Sequence, residues 1–217
     1  MNLSKVIDFL SDVFKDESLF GFSQINEILA DREDCKCAIV TLLPYPDLNY
    51  SYNPIEYFIM LQDLWKKHSI MMDRLKSFLD DNNIVYKAPP ATPNDDGSHR
   101  AEFSYKWAAI HAGLGFIGKN DVFVHYKYSQ KVRISCLLVD LEMPLFTGEI
   151  LSECGDCDLC VKACPYNFIS GQAWHVDIHR DKLIDYKKCA TKTKHSGDGQ
   201  KYACGYCVMA CKYFNTM

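Results

Sequence analysis

The chain has 217 residues, of which 48% are hydrophobic and 24% are charged, and its formal net charge is -4. This length and apolar content predict a globular protein of one or two domains and exclude a disordered chain, while so small a net charge argues against a nucleic-acid binder. The first residues lack the pattern of a secretory signal, and no apolar run reaches the roughly 20 residues of a membrane-spanning helix, so we expect a cytoplasmic protein with reduced cysteines and no membrane contact.

Hydrophobic periodicity predicts the first two elements. Apolar residues recur at helical spacing from Leu3 to Phe14, which predicts an amphipathic helix with one face on the core. The apolar, β-branched run from Cys37 to Leu43 stops at Pro44, and it predicts a central strand that is buried on both faces.

A long helix is predicted next. Asn53 is a good N-cap, Pro54 suits the first helical position, and the Glu56 side chain can reach back to the cap. Because no helix breaker follows before Asp80, this helix should run for about 26 residues, on the order of 40 Å. Residues 84–87 predict a short strand after it.

The following stretch mixes irregular and regular structure. Residues 89–98 are rich in Pro, Asn, Asp and Gly, which predicts a loop of about ten residues, a length that is often functional. A helix is predicted over about residues 100–111. Residues 122–126 and 132–141 alternate as strands do, and we expect them to form a hairpin joined through residues 127–130.

These patterns predict a mixed α/β domain over residues 1–147 and a second domain over residues 148–217, with Pro144 and Gly148 at the joint. The second domain has about 70 residues and few long apolar runs. Bound metal is therefore expected to replace part of the core that it lacks.

Eight regularly spaced cysteines dominate the second domain. The first four follow the spacing C-x2-C-x2-C-x3-C-P of bacterial proteins with two iron–sulfur clusters, in which the fourth cysteine binds the other cluster. If that cysteine leaves its own loop, the last cysteine of the chain is the natural replacement. We predict one 4Fe–4S cluster on Cys154, Cys157, Cys160 and Cys211, and a second on Cys164, Cys189, Cys204 and Cys207.

Two other uses of these cysteines were weighed. Zinc prefers two separated C-x-x-C pairs, whereas three cysteines at gaps of two followed by Cys-Pro fit a 4Fe–4S cluster better. Disulfides are less favoured, since eleven is an odd count and no secretory leader precedes them. The three remaining cysteines, Cys35, Cys37 and Cys136, lie in apolar surroundings and are predicted to be core residues.

Positive charge is concentrated in the same region. Residues 161–212 contain nine Lys or Arg and four Asp or Glu. Such charge would stabilise anionic clusters and raise their reduction potentials. A solvated lysine face that docks an acidic electron donor is the alternative.

A glycine motif lies in the first predicted domain. Gly113, Gly115 and Gly118 match G-x-G-x-x-G and are followed by Lys119 and Asn120. A dinucleotide site is excluded, because that fingerprint follows a strand and opens a helix, and here the order is reversed. Two explanations stay open, namely close backbone approach to a bulky ligand or cluster, and a helix C-cap followed by a turn.

Three stretches together resemble the epoxyqueuosine reductase family: residues 106–120 (KWAAIHAGLGFIGKN), residues 137–144 (LLVDLEMP) and the eight-cysteine pattern. His68, with Arg74 and Leu75, also resembles the family's Tyr-His helix motif, with Lys67 in place of the tyrosine. The resemblance covers about residues 34–211. It implies a nitroreductase-like α/β domain followed by a small ferredoxin-like domain with two 4Fe–4S clusters, and a cobalamin beside them.

The resemblance also implies where such a cofactor and a proton donor would lie. A corrinoid is expected over Gly113, Gly115, Gly118, Lys119 and Asn120, with His68 facing it. The alternatives are that His68 caps or solvates a helix face and that Lys119 pairs with a cluster or a carboxylate. The family's acids before the glycine motif lack a clear counterpart, so the proton donor is expected among Tyr105, His99 and Asp96.

The function that follows is a cobalamin-dependent reductase. Electrons would pass from a low-potential donor such as ferredoxin or flavodoxin through both clusters to the corrinoid and to a small-molecule substrate. The chain stops six residues after Cys211, short of the region that helps the family hold tRNA, so tRNA is not expected as a partner. The alternative is a ferredoxin-like electron-transfer protein without its own substrate site, and a third is a degenerate member with a structural or sensing role.

Overall fold

The computed structural model describes residues 3–25, 35–46, 53–90, 101, 103–192 and 203–211. The α-helices of these ranges are α1 (Leu3–Phe14), α2 (Pro54–Asp81), α3 (Tyr105–His111), α4 (Leu159–Ala163), α5 (Tyr186–Thr191) and α6 (Tyr206–Met209). The strands are β1 (Phe20–Gln24), β2 (Cys37–Pro44), β3 (Tyr86–Lys87), β4 (Gly115–Ile117), β5 (Phe123–His125) and β6 (Val132–Val139). This mixture confirms the predicted α and β class.

The chain divides into two compact units. We call residues 1–43, 66–114 and 133–149 the sheet unit, and residues 44–65, 115–132 and 150–217 the cysteine unit. The last boundary falls close to the predicted joint after residue 147. The cysteine unit differs from the predicted second domain because it also takes in two earlier segments, one of which bonds directly to the cysteine loops, as described below.

A four-stranded sheet with the order β1-β2-β6-β3 organises the sheet unit. Strand β2 is central, and its first six residues are all buried, as the apolar run predicts. Strand β1 pairs antiparallel with β2, with Phe20 opposite Thr41, and β3 pairs antiparallel with β6, with Tyr86 opposite Val139. The sequence analysis missed β1, a short strand of two buried aromatic residues separated by a glycine.

The two long helices begin where the sequence predicts. Helix α1 buries Val6, Leu10, Val13 and Phe14 on one face. Helix α2 has 28 residues, and Asn53 caps it by accepting hydrogen bonds through Oδ1 from the backbone N–H groups of Ile55 (2.9 Å) and Glu56 (3.3 Å). Local capping chemistry is therefore enough to fix where α2 begins.

Helix α3 is shorter than predicted. It starts at Tyr105 rather than near residue 100, because the Ser104 hydroxyl accepts a hydrogen bond from the Trp107 backbone N–H and acts as the N-cap. The loop predicted over residues 89–98 lies, from residue 91 on, outside the described residues.

The predicted hairpin of residues 122–126 with 132–141 is wrong. Strand β5 pairs antiparallel with β4 in a separate two-stranded sheet, with Phe116 opposite Val124, while β6 belongs to the four-stranded sheet. The segment after β5 turns back on His125, whose Nδ1 accepts hydrogen bonds from the backbone N–H groups of Lys127 and Tyr128. Alternation identified both strands but could not identify their partners.

None of the helices in the described ranges combines the length and apolar character that crossing a bilayer requires.

Candidate metal centre

The predicted ligand cysteines lie on short helices and tight turns of the cysteine unit. Helix α4 contains Cys160 and has Cys164 as its C-cap, α5 contains Cys189, and α6 contains Cys207. Cys154 and Cys157 belong to a turn that is closed by a 3.0 Å hydrogen bond from the Cys157 N–H to the Cys154 carbonyl. All eleven cysteines of the chain are free thiols.

Cys160 lies among other predicted ligands. Burial raises the pKa of its thiol to about 12, and the thiolates of Cys207, Cys154, Cys211 and Cys157 add to the rise by repulsion. Repulsion of this kind acts at short range, so these sulfurs share one neighbourhood. It brings Cys211, from the end of the described chain, next to the loop that contains Cys154 and Cys157.

Cys207 and Cys189 lie in a second group. Burial raises the pKa of the Cys207 thiol to about 11, with Cys189, Cys204 and Cys164 as its thiolate neighbours. Burial also raises the pKa of Cys189, and the thiolates of Cys204 and Cys164 act in the same direction. Cys160 and Cys207 are the neighbours at which the two groups meet.

Cysteines also form much of the small core around these groups. Buried Cys160, Ile169 and Ile184 pack together, and the half-buried residues against them include Cys164, Cys189 and Cys207. Ile169 and Ile184 also form an isolated antiparallel bridge. This core is small for a chain segment of about 70 residues, so bound clusters would have to supply part of the stability of the segment.

A turn of the cysteine unit, residues 118–121, bonds to the cysteine loops. The Lys119 ammonium, on a side chain that is 8% exposed, donates to the carbonyls of Gly155 (2.8 Å) and Cys157 (2.9 Å). The next residue, Asn120, opposes the rise that burial causes in the pKa of the Cys207 thiol. The turn is therefore joined to the loop of Cys154 and Cys157 by the Lys119 side chain.

One backbone group also donates to sulfur. The Phe168 N–H lies 3.4 Å from Cys164 Sγ and donates to it. Cys164 and Cys207 belong to the same predicted ligand set.

The donor chemistry of these residues fits iron–sulfur clusters. Eight free thiols of the cysteine unit are enough to supply the all-thiolate ligands that two 4Fe–4S clusters need. Within the described residues, no group of three or more His, Cys, Asp or Glu side chains is arranged to hold a single metal ion. A single ion would draw its sulfur ligands to about 3.8 Å from each other, given metal–sulfur distances of about 2.3 Å.

His68 lies where a core residue would. Its side chain is fully buried, its Nε2 lies 3.0 Å from the Thr41 hydroxyl, and its Nδ1 lies 3.3 Å from the Ser135 hydroxyl. Burial lowers the pKa of His68 to about 3, and the positive charge of Arg133 lowers it further. Both ring nitrogens are engaged, so His68 has no atom to present to a corrinoid.

The glycines of the motif are explained by contacts inside each unit. Gly113 has φ +70° just after α3, and a Cβ there would lie 2.4 Å from the Phe146 ring. A Cβ on Gly115 would lie 2.0 Å from the Val124 carbonyl across the β4–β5 pair. The helix-end and turn explanation accounts for these glycines, and Lys119 and Asn120 face the cysteine loops. The described residues therefore do not fit the predicted corrinoid contacts.

Of the predicted proton donors, only Tyr105 is among the described residues. Its hydroxyl donates to the Pro89 carbonyl at 2.5 Å, which ties the start of α3 to the end of the preceding segment. His99 and Asp96 lie outside the described residues. A catalytic role for these three residues stays a prediction.

Sequence reasoning missed one functional residue of this centre. Gln130 is 3% exposed and exchanges two 3.2 Å hydrogen bonds with the Asn120 amide. Nothing in the sequence pairs the two residues.

Comparison with known proteins supports the resemblance that the motifs predict. The chain is 29% identical over 104 residues to an epoxyqueuosine reductase of Staphylococcus aureus, which is 48% of this chain and 26% of the relative. It is 33% identical over 75 residues to the epoxyqueuosine reductase of Leadbetterella byssophila, 35% of this chain and 23% of the relative. The matches span about a quarter of these curated relatives. No protein-family model matches the chain.

Solved structures show the same fold. The epoxyqueuosine reductase of Streptococcus thermophilus matches with a TM-score of 0.62 and 18% identity, over 100% of this chain and 67% of that one. A catabolic reductive dehalogenase matches with a TM-score of 0.70 and 15% identity, over 90% of this chain and 30% of that one. These relatives are oxidoreductase enzymes by name, and the resemblance to the epoxyqueuosine reductase family is confirmed.

A further solved structure bears on the predicted partners. It is an epoxyqueuosine reductase with an epoxyqueuosine-modified tRNA-Tyr stem loop, with a TM-score of 0.63 and 17% identity over 99% of this chain and 67% of that one. The stem loop is a ligand of that protein. The expectation that this chain does not bind tRNA stays a prediction.

Proposed function

We propose that this chain is an iron–sulfur oxidoreductase of the epoxyqueuosine reductase type, in which two 4Fe–4S clusters carry electrons. The observation that carries the proposal is that eight free thiols gather in the cysteine unit, each of them either Cys160 or Cys207 or a charged neighbour of one of these two. The ligand sets of the proposal are those predicted from the spacing of the cysteines.

The chain's own residues support such a role in three ways. Buried Cys160 and half-buried Cys207 limit the access of water to the point where the two groups meet. Lys119 holds the loop of Cys154 and Cys157 through two carbonyls and places a positive charge beside anionic ligands. When bound, the clusters would supply one-electron transfer.

The fold and partners of the proposal follow the resemblance. We infer a nitroreductase-like domain joined to a ferredoxin-like domain, a low-potential donor such as ferredoxin or flavodoxin, and a small-molecule substrate. The described residues predicted to contact a corrinoid bond within the protein instead, so no reaction step is assigned to cobalamin.

A second candidate function is electron transfer to a partner enzyme, without a substrate site in this chain. The observation that favours it is the use of His68 and Lys119 inside the protein, since both were predicted to face a cofactor. The enzymatic relatives favour the reductase.

One experiment on protein purified without oxygen tests both candidates. Iron and sulfide analysis should return about eight of each per chain, and zinc or no metal would refute the proposal. Hydroxocobalamin is then added to the cluster-loaded protein. Co-elution with a spectral change supports the reductase, whereas no binding together with fast electron exchange with reduced ferredoxin supports the carrier.

A further inference from the structure

A tyrosine of the cysteine unit lies at the surface close to a predicted cluster ligand. Residues 164–167 form a turn with Pro165 at its second position, and the Asn167 N–H closes it by donating to the Cys164 carbonyl (3.2 Å). Tyr166 is the third residue of this turn, and its side chain is 42% exposed. The turn therefore keeps Tyr166 at the surface, next but one in sequence to Cys164.

The Tyr166 ring is connected to the interior of the unit through Phe168. The two rings stack, with their centroids 5.4 Å apart and their planes inclined by 21°. Phe168 is half-buried and packs against the small core of this unit, and its backbone N–H donates to Cys164 Sγ (3.4 Å). A chain of contacts therefore leads from a predicted ligand sulfur through Phe168 to an exposed ring.

Positive charge lies on the same surface. The Lys192 ammonium is 5.4 Å from the centroid of the Tyr166 ring, within the range of a cation–π contact. Lys188 lies four residues earlier, which is one turn of helix α5 and the same face. Its side chain is 70% exposed and pairs with Asp185 (2.9 Å), and an exposed pair of this kind costs little to exchange for another partner. We call Tyr166, Lys188 and Lys192 the lysine patch.

The charge around the lysine patch favours an acidic partner. Residues 161–212 contain nine Lys or Arg and four Asp or Glu, although the whole chain has a net charge of -4. Positive charge concentrated in one segment steers an acidic protein towards it. An RNA would also be attracted to lysines, but the contacts from Tyr166 to the Cys164 sulfur favour a partner that exchanges electrons. Proteins that exchange electrons bind through small, transient interfaces, for which a patch of this size is enough.

We propose that Tyr166, Lys188 and Lys192 form the docking site of an acidic electron-donor protein, next to the cluster assigned to Cys164. This inference rests on the proposed function. One electron passes from the reduced donor to that cluster, so the donor is oxidised and the cluster is reduced by one electron, and no bond or proton is exchanged. The lysines bind the acidic surface of the donor, and the Tyr166 ring lies at the contact, which keeps the path to the ligand sulfur short.

The test measures binding of an acidic plant-type [2Fe–2S] ferredoxin to the cluster-loaded protein without oxygen. Calorimetry with oxidised ferredoxin gives the Kd at about 0.1 M salt, where the Debye length of about 10 Å leaves only nearby charges effective. Lys188→Glu/Lys192→Glu should raise the Kd at least about tenfold, because like charges then meet across the interface. Tyr166→Ala should raise it about fivefold, since aromatic residues at the centre of an interface carry much of the binding energy. In stopped-flow mixing with reduced ferredoxin, the second-order rate of electron transfer should fall with the affinity.

A matched control and a change of salt isolate the charge effect. Lys15 is also an exposed lysine, at 73%, that pairs with an aspartate three residues earlier, Asp12, but it lies in the sheet unit. Lys15→Glu should therefore bind ferredoxin as the wild type does. At about 1 M salt, where the Debye length is about 3 Å, the double variant and the wild type should bind equally.

The outcomes separate the inference from the proposed function. A wild-type protein without two clusters refutes the proposed function. With both clusters present, wild-type affinity in the double variant and in Tyr166→Ala overturns the inference alone, as does equal weakening in Lys15→Glu or a wild type that does not bind ferredoxin. A tRNA anticodon stem loop that binds the wild type and not the double variant, while ferredoxin binding is unchanged, would assign the patch to RNA and also overturn it. If the double variant fails to load its clusters, Lys192→Gln decides instead, with an expected rise in Kd of at least about twofold.

Discussion

Replacing Lys119 should loosen the loop of Cys154 and Cys157 and little else. The ammonium group donates to the carbonyls of Gly155 and Cys157 at 2.8 and 2.9 Å, and the side chain is 8% exposed. In Lys119→Met, the stem still fills the same space but both carbonyls lose their donor. The perturbation therefore removes two hydrogen bonds from a charged group and keeps most of the packing.

The size of the effect follows from those two bonds. A hydrogen bond from a charged group contributes about 1.5 kcal/mol at the low end of its usual range, so the loss is about 3 kcal/mol in the free energy of opening the loop. We take the low end because removing the ammonium also relieves the cost of burying it. A difference of about 3 kcal/mol is roughly 100-fold in the opening equilibrium.

Iron release to a chelator measures this opening. When anaerobic, cluster-loaded protein is mixed with a ferrous-iron chelator, about half of the iron in Lys119→Met should be lost roughly 100-fold faster than in the wild type. The other half should be lost at the wild-type rate, since Lys119 contacts the loop of only one ligand set.

Lys162→Met is the matched control. Lys162 also lies beside the ligand cysteines, but its side chain is 73% exposed and pairs with Asp158 at the surface (3.0 Å). Exposed ion pairs contribute little, so iron release should stay at the wild-type rate. Wild-type release from Lys119→Met, or equal acceleration of both halves of the iron, would refute the role assigned to Lys119.

Three further substitutions test other parts of the structure. Cys160→Ala should lower the iron content from about eight to about four per chain, and full metal content in a folded variant would show that the ligand sets are mistaken. The pKa of His68 is about 3 in the folded chain and about 6.5 in the unfolded chain, so the unfolded state takes up the proton first as the pH falls below 6.5. In urea titrations, the wild type should therefore lose about 2 kcal/mol more stability between pH 7 and pH 5 than His68→Gln does. Equal pH dependence of the two proteins would contradict this. In Gly115→Ala, the new Cβ would lie 2.0 Å from the Val124 carbonyl. The resulting strain in the β4–β5 pair should lower the free energy of unfolding, measured in urea, by about 3 kcal/mol. An unchanged urea midpoint would show that the pair has room for a side chain.

Local signals in the sequence were enough to predict several of the helices and strands. Helix α2 begins at Pro54 because Asn53 caps it, and it ends where Asn83 adopts a positive φ of 54°. Such signals act over four or five residues and need no distant partner. The same holds for β2, whose burial on both faces follows from an unbroken apolar run.

The pairing of the strands needed the tertiary structure. Strands β5 and β6 both show alternation, yet they belong to different sheets, and β5 pairs with a strand inside the glycine motif. Alternation reports that one face of a strand is buried and says nothing about which edge supplies its hydrogen bonds.

The candidate site also combines features that the sequence predicts with features that only the tertiary structure decides. The cysteine spacing by itself predicts the two ligand sets, because a 4Fe–4S cluster demands four thiolates and a tight loop can supply three. The contacts of Lys119 and His68 were decided only by the fold, since each side chain bonds to atoms more than 25 residues away in the chain: Lys119 to the carbonyls of Gly155 and Cys157, and His68 to the hydroxyl of Thr41. A motif states which side chains are present, and the contacts that satisfy a buried polar group decide what each of them does.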